Sequence, residues 1–359
     1  MKKVFDKVKV WLNGCNRERL SQFNSDMLYI VRILAALCVL VGHLFSFLDL
    51  TILQDNSHFP YIQSIAVVVF FLLSGFLTDH SLHQKEESYS FSQYLKHHFR
   101  RIFGSFIPAL VLIAIFDGIS LYVHPDTYSY PWNYNWTVFL KNLIFFPWDY
   151  QPFGTGRPLW TLFYEWWLYI LYGYWFLVCR KSLKKRVFKL WQWPILLLLV
   201  CIPFIEAPRA TILAFALGVL VNRLYRNIKW CHILVVLAFG GIFVGWALKS
   251  RDAYSLYCPL LLAVILLEAL ALGHGRESGL SEKTRKALRF ASGCTYPLYL
   301  IHYTLIEFLL CFLPLVRSWR LFWIAIALSV LLAILFYSVE QFISRRLASS
   351  AKALQGEKK

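Results

Sequence analysis

The stretch MLYIVRILAALCVLVGHLFSFL, residues 27 to 48, is apolar enough and long enough to cross a bilayer, yet it carries Arg32 and His43. Eleven residues at about 100° each turn a helix through roughly 1100°. The two polar groups therefore fall within about 20° of one face, roughly 16 Å apart along the axis. Ionisable side chains at membrane depth are costly and usually point into a cavity or a pathway and away from lipid. The face holding Arg32 and His43 is thus the first candidate for an active site.

The rest of the chain agrees with a membrane reading. Of 359 residues, 58% are hydrophobic and 16% are charged, whereas charged residues make up about 25% of a typical soluble domain. The expected fold is all-α, a polytopic membrane helix bundle. A net charge of +17 raises nucleic acid as a partner. The Lys and Arg residues, however, lie in short segments between apolar runs, which is what membrane topogenesis demands, and no basic face of a soluble fold is present. Eight cysteines are scattered without a CxxC pair and mostly sit inside apolar runs, where a thiol acts as a small hydrophobe; neither disulfides nor a metal site is expected. Residues 1–25 have charges spread through them and no small-residue cleavage site. They read as a cytoplasmic segment resting on the membrane surface.

Ten apolar windows are long enough to be counted as spans: about 27–48, 61–79, 102–122, 159–179, 191–206, 210–225, 230–248, 254–272, 291–313 and 320–343. The fifth and sixth are short. The PFIEAP that joins them (203–208) is either a tight hairpin between two spans or the tip of one re-entrant excursion. Basic residues concentrate before the first window and after the even-numbered ones, while the alternate connections carry few. This alternation predicts ten spans with both termini in the cytoplasm, a membrane domain over 26–346 and a cytoplasmic tail over 347–359. On that topology the first helix runs outward, with Arg32 nearer the cytoplasm and His43 nearer the outside. The long outer connection, 123–158, holds Trp132, Trp136 and Trp148, which suits either a carbohydrate face or an interfacial aromatic belt.

Several other residues carry candidate chemistry. Glu165, in RPLWTLFYEWWLYI (157–170), is a carboxylate on the same predicted side as His43. It either supports that imidazole or sits solvated or paired with Arg157. Ser74 and Gly75, in VVFFLLSGFLTD (68–79), leave a small surface in a bulky helix, suited to close helix approach or to a substrate arm. His97, His98, Arg100 and Arg101 form a basic mouth at the cytoplasmic end of the third span. His302, in SGCTYPLYLIH (292–302), lies near mid-depth and ranks second to His43. Glu340 lies near the inner end of its helix, where snorkelling or pairing with an arginine is the plainer account, and Glu307 lies within the ninth span. No Gly-x-Ser-x-Gly elbow supports a serine hydrolase.

Taken together, these segments resemble the acyltransferase 3 family of integral-membrane acyltransferases over about 26 to 346. Arg32-x10-His43 is similar to that family's first-helix signature, VVFFLLSGFL to its second-helix FF-x-x-SGF motif, and PLWTLFYEWWLY to its Trp-Ser-Leu…Glu…Tyr segment. The run ending at His302 and the Tyr337-Ser-Val-Glu340 segment are similar to its late motifs. In the third helix the family's two arginines spaced three apart are met here by His98 and Arg101, with Arg100 beside them.

The resemblance implies a multi-pass protein of the bacterial inner (cytoplasmic) membrane that moves an acyl group, most often acetyl from cytoplasmic acetyl-CoA, to a hydroxyl of a surface or lipid-linked glycan. Acetyl-CoA is then a co-substrate and no cofactor is bound. His43 is the expected general base, Glu165 orients it or the sugar, and Arg32 contacts the donor or an oxyanion. The donor-binding set is His98, Arg100, Arg101, Ser74 and Gly75, with His302 and Glu340 as secondary candidates. A covalent acyl-histidine relay is an alternative mechanism. The alternative function is a transporter of a lipid-linked sugar or small anion, because a polar path through ten helices would also account for Arg32, His43 and the basic mouths.

Overall fold

A computed structural model describes residues 19–48, 62–85, 89–146, 150–184, 190–226, 232–249, 252–313 and 318–356. Most of the N-terminal surface segment expected over 1–25 lies outside these residues. Among the described residues the protein is all-helical, without a strand. A helix lies over each apolar window: α1 (Gln22–Leu48), α2 (Ile62–Gln84), α3 (Phe91–Val123), α5 (Leu159–Tyr174), α7 (Gln192–Glu206), α8 (Arg209–Leu224), α9 (His232–Lys249), α10 (Tyr257–Leu272), α11 (Glu282–Phe312) and α12 (Trp319–Gly356). Two short α-helices, α4 (Trp136–Leu143) in the connection 123–158 and α6 (Arg180–Lys184), and one 3-10 turn (Pro131–Asn133) stand beside them. By length and composition α1, α2, α3, α11 and the first part of α12 (Trp319–Ser344) are able to cross a membrane.

The helices outrun the apolar windows where flanking residues are good helix formers. α3 begins at Phe91 and not near 102, α11 begins at Glu282 and not near 291, and α12 continues past 343 to Gly356. Hydropathy marks where lipid contact ends, not where the backbone stops being helical. The fourth window changes register inside itself, since Trp175–Cys179 forms one π-helical turn after α5. Between α7 and α8 only Ala207 and Pro208 stand outside a helix. The Pro208 carbonyl accepts from Thr211 N at 2.9 Å and from Thr211 Oγ1 at 2.8 Å.

The chain divides into two compact units, each built from non-contiguous segments. The first comprises Met1–Gly42, Asp55–His98 and Thr161–Leu288. Its centre is the packing of α2 against α8, with α10 beside both. The two central helices meet through glycines. A side chain added at Gly75 would run into the Phe215 carbonyl, and one added at Gly218 would run into the Leu72 carbonyl. Small residues at such a crossing let two backbones approach directly, a device of membrane helix pairs where no water-driven force holds helices together. The start of α1 is tied to the end of α10, because Asn24 Nδ2 donates to the Leu270 carbonyl at 3.0 Å and Ser21 Oγ donates to the Gly273 carbonyl at 2.8 Å. The bond to Leu270 occupies one of the last carbonyls of α10, which the helix itself leaves unpaired.

The second unit comprises His43–Gln54, Phe99–Trp160 and Arg289–Lys359. An aromatic trio of Phe103, Phe106 and Phe145 joins α3 to the connection 123–158, with ring centroids 4.7 to 5.7 Å apart. Asn142 organises that connection. Its Nδ2 donates to the carbonyls of Val138 at 2.8 Å and Gln151 at 2.6 Å, while its Oδ1 accepts from Tyr150 Oη at 3.1 Å. A second anchor is Asp117 of α3, whose two oxygens accept from Thr155 N at 2.7 Å and Thr155 Oγ1 at 2.8 Å. Gly154 next to it has φ +52 and lies so close to Asp117 Oδ2 that no side chain fits.

Candidate active site

In the second unit His43, on the last turns of α1, meets His302 of α11. His43 Nδ1 and His302 Nε2 are 3.0 Å apart, and the ring centroids are 5.1 Å apart. His43 is half-buried, whereas His302 is 1% exposed. The inner ring is held from behind, because His302 Nδ1 lies 2.9 Å from the Tyr299 carbonyl and 3.1 Å from the Leu298 carbonyl. Tyr299 itself donates its hydroxyl to the Pro158 carbonyl at 3.3 Å, fixing this turn of α11 to the end of the connection 123–158. Tyr303 presents an edge-to-face contact to His43 at 5.3 Å.

Around Tyr303 lies a group of hydroxyls and charges. Its Oη is 3.0 Å from Tyr130 Oη, the Ser129 hydroxyl donates to Glu307 Oε2 at 3.4 Å, and the Arg157 guanidinium stands 5.7 Å from the Tyr130 ring centroid. Burial works against the charge of Arg157, but its hydrogen bond to Tyr130 and the electrostatic pull of Tyr130, Tyr303 and Glu307 outweigh that and raise its pKa. In the same connection burial, followed by the nearby Asp117 carboxylate, pushes the Tyr128 phenol above its ordinary range. Ser105 of α3 donates to Glu340 Oε2 of α12 at 2.6 Å, so the late carboxylate is tied to the third helix.

The first unit holds the other candidates. The Glu165 carboxylate of α5 accepts hydrogen bonds from Ser74 of α2 and from Tyr169 one turn along its own helix. Two candidates named separately, Ser74 and Glu165, are thereby brought together. Gly75 sits in the α2–α8 crossing described above. His98 is buried between Tyr94 and Tyr169, with centroids at 4.4 and 4.3 Å. Arg100 and Arg101, two and three residues along α3 and beyond the unit boundary, are exposed. Arg32 is half-buried on α1.

Two polar centres escaped sequence reasoning. One is Asp117 with Thr155. The other is Asp79 of α2, whose carboxylate accepts from Tyr172, from Asn222 Nδ2 at 2.8 Å and from Arg223 Nη2 at 3.2 Å, with His83 Nδ1 also at 3.2 Å. The signal for both was the one used for Arg32 and His43: a lone ionisable residue inside or at the end of an apolar window.

Apolar helices able to cross a membrane, carrying a histidine pair within them, define an integral membrane protein with groups suited to proton transfer. A family model described as an acyltransferase domain matches residues 28–338, and the chain belongs to the acyltransferase 3 family. The chain is also similar to "Acyltransferase MdmB" of Streptomyces mycarofaciens, at 24% identity over 77% of this chain and 78% of that relative. No solved structure matches.

Proposed function

We propose that this membrane acyltransferase moves an acetyl group from cytoplasmic acetyl-CoA to a hydroxyl of a surface or lipid-linked glycan, from a bacterial inner membrane crossed ten times with both termini in the cytoplasm. The observation that carries the reading is the half-buried imidazole of His43, held between the buried His302 and the edge of Tyr303. A fixed imidazole in such surroundings is suited to take the proton of a hydroxyl as its oxygen attacks the thioester carbon. The new oxygen–carbon bond forms, the carbon–sulfur bond breaks, and the proton held by His43 passes to the departing CoA sulfur. The hydroxyls and charges of Ser129, Tyr130, Glu307 and Arg157 beside Tyr303 supply hydrogen-bonding groups of the kind a sugar uses.

Arg32 and Glu165 enter this reading from sequence and family alone, Arg32 as the contact to the donor or the oxyanion and Glu165 as the group that orients the base or the sugar. His98, Arg100, Arg101, Ser74 and Gly75 are the proposed donor-binding set, with His302 and Glu340 as secondary candidates. The test is mass spectrometry of surface and lipid-linked glycans from cells with and without the protein. A difference of one acyl group is expected. Identical glycan masses, together with no transfer of label from acetyl-CoA to glycan by the purified protein in liposomes, would overturn the proposal.

A further inference from the structure

His302 Nδ1 faces two carbonyl oxygens, those of Tyr299 at 2.9 Å and Leu298 at 3.1 Å. Carbonyls only accept, so this nitrogen carries a proton. In the neutral ring the lone pair is then on Nε2, which leaves His43 Nδ1, 3.0 Å away, as the donor between the two rings. His43 thus carries its own lone pair on Nε2. A second proton on His302 would sit at Nε2 and set two N–H groups against each other across the same 3.0 Å. The chain of donors runs one way only, from His43 through His302 to the backbone of α11.

We infer that His302 is a positioning residue that sets the tautomer of His43, so that Nε2 of His43 is the atom that takes the acceptor's proton. The inference rests on the reading of His43 as general base. In the reaction the acceptor's O–H proton moves to His43 Nε2 and later to the CoA sulfur, while His302 exchanges no proton. It accepts the His43 Nδ1–H throughout and that bond strengthens when His43 becomes an imidazolium. A carboxylate in this place would hold the same tautomer but would favour the charged ring strongly. A neutral imidazole holds the geometry and leaves the imidazolium a better acid toward the leaving sulfur. Burial of His302 and the Tyr303 edge against His43 restrict both rings to this arrangement.

The experiment is nitrogen-15 NMR of histidine-labelled full-length protein in lipid nanodiscs, with the His43 signals assigned by their loss in His43→Gln. Protonated and unprotonated imidazole nitrogens resonate apart, so the tautomer is read directly. The wild type is expected to show His43 as the Nδ1–H form. His302→Leu is expected to release it to the Nε2–H form that free imidazoles favour, and His302→Gln, whose amide oxygen accepts in place of Nε2, is expected to keep Nδ1–H. Glycan acylation in cells should fall about 10²–10⁴-fold in His302→Leu and recover in large part in His302→Gln. An Nε2–H form in the wild type, or unchanged tautomer and acylation in a folded His302→Leu, overturns the inference. Should His302→Leu not fold, the wild-type and His302→Gln spectra still decide. The two readings fail separately: absence of acyl transfer by the wild type removes the function but not the tautomer, and an Nε2–H signal removes the tautomer but not the function.

Discussion

Asp79 Oδ1 lies 3.2 Å from Arg223 Nη2, and the carboxylate side chain is wholly shut from solvent while the guanidinium keeps a quarter of its exposure. The asymmetry determines which partner matters more. Removing Asp79 takes away the shared acceptor of Tyr172, Asn222, His83 and Arg223 at once. Removing Arg223 leaves a buried carboxylate that still accepts from the other three. A buried donor left without its acceptor costs about 1–3 kcal/mol, and because Asp79→Ala strands Tyr172, Asn222 and Arg223 together it is expected to lose about 3 kcal/mol or more, with Arg223→Met losing distinctly less. Apparent melting temperatures in detergent by fluorescence-detected gel filtration check the order, and equal or reversed losses would contradict the network described.

The glycine crossing of α2 and α8 makes a second prediction. Gly75 abuts the Phe215 carbonyl and Gly218 abuts the Leu72 carbonyl, both backbone atoms that cannot swing aside. Either glycine changed to alanine should push the helices apart at a cost of about 1–3 kcal/mol. Gly240 and Gly241 of α9, where an added methyl group meets nothing within 4 Å, serve as controls and should tolerate alanine. A Gly75→Ala protein as stable as Gly240→Ala would show that this crossing is not close packed.

Much of the fold was legible because apolar runs of membrane length leave few alternatives. Each of the ten windows carries a helix, and among the described residues five of these helices are long and apolar enough to cross a membrane. What escaped was helix that continues into polar sequence: Gln93, Lys96 and Arg100 at the start of α3, or Glu282, Lys283 and Arg285 at the start of α11, are good helix formers that a hydropathy window discards. Single candidates such as Arg32 and His43 were nameable from sequence, since an arginine or a histidine inside an apolar run announces its own cost. Their pairing was not. His43 and His302 are 259 positions apart, and Ser74 and Glu165 are 91 apart. No periodicity within one helix encodes which face of another helix it meets. Asp79 and Asp117 were missed for a different reason, as the same cost argument applied to them and only their lack of a familiar motif hid them.

The connection 123–158 should depend on Asp117 more than on its own turns. Thr155 gives Asp117 both its backbone N–H and its hydroxyl, and Gly154 holds φ +52 against the same carboxyl. Thr155→Val keeps the backbone bond and loses the hydroxyl, for a cost of about 1 kcal/mol. Gly154→Ala adds a methyl group where Asp117 Oδ2 stands and forces a left-handed backbone on a side-chain-bearing residue, so it should cost more. Proteolysis of residues 123–158 in the detergent-purified protein should rise in that order, wild type, Thr155→Val, Gly154→Ala. A connection equally resistant in all three would place its anchor elsewhere.

His43→Gln separates chemistry from architecture. Glutamine fills most of the imidazole volume, and its amide is able to donate to His302 Nε2 in place of His43 Nδ1. The loss in stability should then stay within about 1 kcal/mol. The amide has no lone pair basic enough to take a proton from a hydroxyl, so acylation should fall by at least about 100-fold. Expression level and apparent melting temperature report the first expectation, and the mass of acylated glycan in cells reports the second. A variant that melts like the wild type but acylates nothing assigns His43 to proton transfer. Full acylation by His43→Gln would remove it from the reaction.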